Sequence, residues 1–244
     1  MRRVIDGVYV LPIKFGYVNL YLLEARDGLA LIDTGLAGSA ENIEAALRIL
    51  GRSWNDVKHI LITHAHPDHI GSLADVQRLT DSALTYAHRR EALVIRGEMS
   101  SPAPRPESLR GLSRLFLMLP QNAPAMPARV DVELKGGDVL NAVYPGLMVV
   151  DEPGHAPGQV GFWLPDKRLL FAGDVVMRMP WGLVMPLAFV TLDMDEAKRS
   201  IRKVAALDIE ALCPGHGPPL VANAAATMRD FAARQSVPNP PDVF

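Results

Sequence analysis

Val57-Lys58-His59-Ile60-Leu61-Ile62-Thr63-His64-Ala65-His66-Pro67-Asp68-His69 is the stretch on which the reading of this chain turns. Its first half is a short β-prone run that reads as a buried strand; the second packs three imidazoles and a carboxylate into six positions. In the extended segment that follows the strand, His64 and His66 point the same way because side chains alternate with period two. Asp68 and His69 then begin a helix that runs through Leu79 and turn back toward the same cavity. Four nitrogen or oxygen donors this close together can begin a site for two metal ions, although the string alone also arises by accident.

Three further donors, His155, Asp174 and His216, each stand beside a glycine in a turn near an apolar run. Neutral imidazole and carboxylate suit zinc, and also iron or manganese, whereas a structural zinc site in a cytosolic protein is more often closed by thiolates. The chain has one cysteine, Cys213. A donor set without thiolates, and larger than one tetrahedral ion needs, is catalytic and dinuclear rather than structural. Cys213 lies close enough to His216 to raise thiolate ligation, but it ends the apolar run 209–213, where a small buried thiol is ordinary.

Together with Asp33, these donors form five separated segments whose order resembles the metallo-β-lactamase superfamily of hydrolases from Asp33 to His216. The resemblance implies an α/β fold, an αββα sandwich of two mixed sheets with outer helices and the metals at one edge. It implies two divalent ions, zinc first and iron or manganese as alternatives. His64, His66 and His155 would hold the first, Asp68, His69 and His216 the second, and Asp174 would bridge them. Asp33, in Leu31-Ile32-Asp33-Thr34-Gly35, reads either as an end-of-strand turn residue or as a carboxylate that orients a ligand histidine. The family places an aspartate at this turn, and metal-bound imidazoles usually donate their other N–H to such a partner. His59, inside the strand, and His88, at the start of a predicted helix, are read as structural or capping histidines.

Composition sets the frame. The 244 residues are 49% hydrophobic and 21% charged, enough for a sizeable core and too apolar for disorder. Because the donors must converge in space, residues 1–235 are read as one unit with a tail at 236–244. A formal net charge of −2 offers no field for steering a polyanion, so nucleic acid is not the expected partner. No apolar stretch approaches the ~20 residues needed to cross a bilayer, and Met1-Arg2-Arg3-Val4-Ile5-Asp6 breaks into charge before a signal core forms, which leads us to expect the cytoplasm.

Short β-prone runs at 8–12, 18–23 and 29–33 predict an antiparallel meander, followed by a helix over 39–50 and the strand that delivers His64. Strands at 139–143, 147–151, 161–164 and 169–172, a helix over 195–206 and a last strand ending at Cys213 repeat the pattern. Residues 97–129 stand apart, since prolines bracket an amphipathic stretch containing Leu115 and Phe116. A lid over the metals, a homodimer contact and a plain surface excursion all fit it. Past Asp174, Trp181 is a candidate for the pocket lining and Arg178 for an anionic substrate group.

The resemblance implies a hydroxide shared between two metals, made available at neutral pH because the cations lower the pKa of water from 15.7 toward about 7. Asp68 and Asp174 are then the catalytic carboxylates, Asp68 helping to move a proton to the departing group. His66 stands where oxygen-reducing diiron members carry glutamate, and Asp174 where true β-lactamases of this fold usually have cysteine or serine, so neither reaction is the first choice. The stretch after His216 is expected to be too short for the helical glutathione-binding domain of typical glyoxalase II enzymes, which counts against hydroxyacylglutathione as the substrate despite a similar metal set. What remains is hydrolysis of a small-molecule ester, thioester or lactone, the acyl-homoserine-lactone type included. The alternatives are a mononuclear-iron persulfide-dioxygenase-like reaction, or β-lactam hydrolysis as a side activity.

Overall fold

In strand β3 (Val18–Ala25), Leu20 and Leu22 turn to one side, Tyr21 and Leu23 to the other, and all four are buried. A strand apolar on both faces needs cover on both, and the chain supplies helices on one side and a second sheet on the other. The computed structural model describes residues 1–80, 82–104 and 125–235. Within them, β1 (Arg2–Ile5), β2 (Val8–Ile13), β3 and β4 (Gly28–Ile32) form the expected meander, lengthened by β1. β5 (Val57–Leu61), β6 (Leu84–His88) and β7 (Val132–Leu134) extend it in parallel to a seven-stranded sheet in sequence order.

Parallel neighbours need crossovers, and helices α1 (Ala40–Ile49), α2 (Pro67–Ile70), α3 (Leu73–Leu79) and α4 (Arg89–Ile95) lie on them. Ile43, Leu47, Leu73, Val76, Ala92 and Ile95 pack against the outer face of this sheet. The second sheet has the order β13 (Ala211–Pro214), β10 (Leu169–Gly173), β9 (Val160–Leu164), β8 (Met148–Asp151), with β10 and β13 parallel. Phe162 and Phe171 from this sheet and Val10, Tyr21 and Ile32 from the first share the core between them. The outer face, with Leu170 and Leu212, is covered by α5 (Met194–Ala205) and α6 (Ala224–Ala233). Four layers result, αββα, the architecture the resemblance implies.

The expected helix from Asp68 through Leu79 is two helices. Gly71 and Ser72 interrupt it because the 36–37 backbone passes there: a Cβ on Gly71 would stand 2.5 Å from the Ala37 nitrogen. The Ser72 hydroxyl accepts from Ser39 N at 2.8 Å and donates to the Leu36 carbonyl at 2.7 Å, which fixes the break. Residues 139–143 form turns rather than a strand, with Val139 making one isolated bridge to Met148; Asn141 accepts from Gly146 N at 2.9 Å and closes the turn. β6, β7, α6 and the hairpin of β11 (Met177–Met179) and β12 (Gly182–Val184) had no counterpart in the periodicity reading. Leu115, Phe116 and the tail 236–244 lie outside the described residues. No helix among the described residues is long and apolar enough to cross a membrane.

Glu152 is fully buried beside Gly161 and Leu170, and neither carboxyl oxygen has a hydrogen-bond partner among the described residues. Burial drives its pKa well above the usual range, against the opposing pull of Lys203 and with Asp151 adding to the rise. Below the unfolded-state pKa both states are protonated and the group is neutral in effect; as pH rises toward the folded-state pKa the unfolded chain ionises and stability is lost. Glu152→Gln is therefore expected to raise the melting temperature at pH 8 by several degrees, since each kcal/mol is worth about 2–4 °C in a chain of this size, and by much less near pH 4. Paired thermal melts of the metal-free proteins across pH check this; a constant difference would contradict it.

Candidate metal centre

Asp33 leaves β4 in the left-handed region, at φ 58, and this turn aims its carboxylate at the segment after β5. Oδ1 accepts from Thr63 N at 2.8 Å, and Oδ2 accepts from the Thr63 hydroxyl and from His69 Nδ1, each at 2.8 Å. Thr34 N and Oγ1 donate to the His69 carbonyl at 2.7 and 3.0 Å. The two ends of the histidine motif are thus tied to one turn.

These outer contacts also decide which ring nitrogens carry protons. The Thr63 hydroxyl, spent on Asp33, accepts from His64 Nδ1 at 3.1 Å. The Thr191 hydroxyl donates to the Leu187 carbonyl at 2.8 Å and so accepts from His155 Nδ1 at 3.0 Å. His69 Nδ1 donates to Asp33 and His216 Nδ1 to the Tyr17 carbonyl. Four imidazoles therefore present an Nε2 lone pair to the cluster, the arrangement that metal-ligating histidines adopt.

The donors form three overlapping groups, His64/His66/His155, His64/His69/Asp174 and Asp68/His69/His216, with the atoms of each group within 4.8 Å of one another. His64 Nε2 and His66 Nδ1 face each other at 3.2 Å. Asp174 stands between the groups: Oδ1 is 3.6 Å from His69 Nε2, and Oδ2 lies 3.5 Å from His155 Nε2 and 3.1 Å from His216 Nε2. Asp68 Oδ2 is 3.5 Å from His216 Nε2. His69 Nε2, His155 Nε2 and Asp174 Oδ1 are buried with no hydrogen-bond partner among the described residues. Converging, unsatisfied lone pairs from imidazole and carboxylate fit divalent cations.

Burial, reinforced by neighbouring imidazoles, holds His64 and His155 well below the ordinary histidine range and lowers His66, which keeps these rings in the neutral, ligating form. His69 and His216 go the other way: burial pulls them down, but Asp174 and the other facing carboxylates outweigh it. Asp174 lies well below the carboxylate range, its burial overcome by His216 and His69.

The turn bearing His216 depends on a glycine and on β3. A Cβ on Gly215 would fall 2.2 Å from Asp174 Oδ1. Asn19 N donates to the Gly215 carbonyl at 2.8 Å, its side-chain amide to Pro214 at 3.1 Å and to Gly217, and the Tyr21 hydroxyl to Pro214 at 2.7 Å. Neither residue entered the sequence reading, although Asn19 is a polar residue inside an apolar run, which calls for a partner. Thr63 and Thr191 were missed as well.

Other candidates sit elsewhere. The Arg178 guanidinium donates to the Pro218 carbonyl at 3.3 Å and to that of Pro219, bracing the turn after His216. Trp181 is 76% exposed in the β11–β12 turn. Cys213 is buried in β13, and desolvation pushes its thiol well up. His59 bonds Tyr86 Oη at 3.1 Å and Asp27 at 3.0 Å. His88 Nδ1 accepts from Arg90 N at 3.2 Å as the cap of α4, and packs against Gly158 close to the His155 turn.

Loops drawn from two stacked sheets to one edge, with nitrogen and oxygen donors at their meeting point, make a site for metal ions, and the family and relatives of the chain make the protein a metal-dependent hydrolase. The chain belongs to the metallo-β-lactamase superfamily, whose family model matches residues 13–216. It is 31% identical to the probable metallo-hydrolase YflN of Bacillus subtilis (strain 168), over 94% of this chain and 91% of that one. It is 27% identical to a hydroxyacylglutathione hydrolase of Cereibacter sphaeroides (strain ATCC 17029 / ATH 2.4.9), over 79% of this chain and 58% of that protein. The crystal structure of a metallo-beta-lactamase family protein from Thermus thermophilus superposes with a TM-score of 0.71 at 28% identity, covering 94% of this chain and 79% of that one.

Alanine at His64, His66 or His155 is expected to lower metal content by about one ion per chain and to abolish metal-dependent turnover, each removing one of the imidazoles of the first group. His59→Ala, whose partners lie outside the cluster, is the control and a cleaner one than His88→Ala. Elemental analysis of the four proteins decides the matter, and a His59→Ala protein as depleted as the others would contradict the assignment.

Proposed function

We propose that this protein hydrolyses a small-molecule carboxylic thioester, ester or lactone with two divalent ions, zinc first among them. Residues His64, His66 and His155 hold one ion, Asp68, His69 and His216 the other, with Asp174 shared. The observation that carries this reading is Asp174, a buried carboxylate facing nitrogens of both groups while its Oδ1 has no hydrogen-bond partner among the described residues. A structural ion would need four closed ligands and no shared carboxylate.

Bound ions supply a hydroxide at neutral pH and an electrophile for the substrate carbonyl. The chain's own residues supply geometry and proton handling. Asp33, Thr63 and Thr191 and the Tyr17 carbonyl keep the Nδ1 protons outside the cluster, so the ligating nitrogens need no rearrangement. Asp68 is the more accessible of the two carboxylates, its side chain 14% exposed against 5% for Asp174. That exposure suits it to pass a proton toward a departing thiol or alcohol at the open side of the site.

The thioester stands first because a hydroxyacylglutathione hydrolase is among the relatives. The test couples metal analysis to a screen of thioester, ester, lactone and β-lactam substrates. About two ions per chain, highest kcat/KM on a thioester, loss on chelation and recovery with zinc are expected. One iron per chain with oxygen uptake would overturn the hydrolase in favour of dioxygenase chemistry. Asp174→Ala should bind fewer than two ions while melting like a folded protein; two ions and full turnover in that variant would remove the shared carboxylate.

A further inference from the structure

Glu91 lies on the buried face of α4, 2% exposed, outside the donor groups. Its Oε2 accepts from Ala65 N at 2.8 Å and its Oε1 from Gly158 N at 2.7 Å. Ala65 is the residue between His64 and His66, and Gly158 follows His155 by one short turn. The three imidazoles of the first group therefore ride on two loops, one from each sheet, that meet on the two oxygens of a single carboxylate.

The neighbourhood is built for that contact. A Cβ on Gly158 would fall 2.3 Å from His88 Nδ1 and 3.1 Å from Glu91 Cγ, so the turn is seated hard against the start of α4. Arg90 Nη1 donates to the Pro157 carbonyl at 3.2 Å and ties α4 to the His155 turn, while Val160 N donates to the Thr63 carbonyl at 2.9 Å and joins the two loops directly. Burial pushes the Glu91 carboxyl up and the two amide donors push it back. An apolar side chain would fill this space but leave two buried amide donors unpaired, whereas a carboxylate offers two acceptors in a planar fork. Glutamine offers one acceptor and one donor, and aspartate is a methylene shorter.

We propose that Glu91 is a positioning residue for the first metal position, setting the distance between the loop of His64 and His66 and the turn of His155. The inference rests on the metal reading above. Its test is cobalt(II) titration of the metal-free protein, followed by visible absorption, in two backgrounds: His216→Ala, which keeps the first position, and His155→Ala, which keeps the second. Glu91→Gln should weaken cobalt binding about 10–100-fold in the first background, as partners of ligating histidines do, and less than about threefold in the second. Glu91→Asp should follow the same pattern. An equal loss in both backgrounds, or none in either, overturns the proposal, as does failure of both variants to fold, which would make Glu91 a residue of the fold alone. If the otherwise unchanged protein takes up no cobalt, the metal reading fails and this inference with it; if it does and the Glu91 variants match it, only the clamp fails.

Discussion

Five imidazoles and two carboxylates meet in one mostly buried cluster, and protons alone satisfy them poorly. Four of the five rings place their Nδ1 proton on an acceptor outside the cluster, leaving lone pairs that converge on each other and on Asp174. Burial keeps His64, His66 and His155 neutral, so without a cation the carboxylates Asp68 and Asp174 are offset only by protons on His69 and His216, which occupy nitrogens that ligation needs free. Divalent cations cancel both deficits at once. The rest of the fold can be read as the means of holding that donor set in place.

The donors come from opposite sheets. Asp33 and the 63–69 segment follow strands of the first sheet, while His155, Asp174 and His216 follow β8, β10 and β13 of the second. Phe162 and Phe171 in the shared core bind the sheets together, but packing alone does not set loop positions at the scale ligation requires. Polar cross-links do: Asp33 to Thr63 and His69 within the first sheet's edge, Asn19 and Tyr21 to the His216 turn, and Glu91 between the His64 loop and the His155 turn. Each places a side chain of one element on backbone or ring atoms of another, so each carries information from one element to the next.

This explains which parts were legible in the sequence. The convergence of these side chains at one edge was, because a strand followed by alternating histidines and ordered glycine-flanked histidine and aspartate is a local pattern. So were α1, α5 and the long strands, whose apolar periodicity is intact. The helix after His66 was read as continuous because Gly71 and Ser72 break it through contacts with residues 36–39, distant in sequence. Residues 139–143 have the composition of a strand, but after the single bridge of Val139 to Met148 the chain turns, closed by Asn141 accepting from Gly146 N. Asn19, Tyr21, Thr191 and Glu91 escaped for a shared reason: each acts on a residue far along the chain, and only the three-dimensional arrangement reveals the partner. Arg178 was legible as a lone cation near the site, yet its carbonyl partners at Pro218 and Pro219 were not.

The most direct measurement of the central claim is anomalous diffraction from crystals of the protein grown with zinc and measured on both sides of the zinc absorption edge. The account predicts two zinc peaks in the cluster, one in contact with His64, His66 and His155, the other with Asp68, His69 and His216, and the Asp174 carboxylate touching both. A single peak, or zinc bound away from these donors, would contradict it.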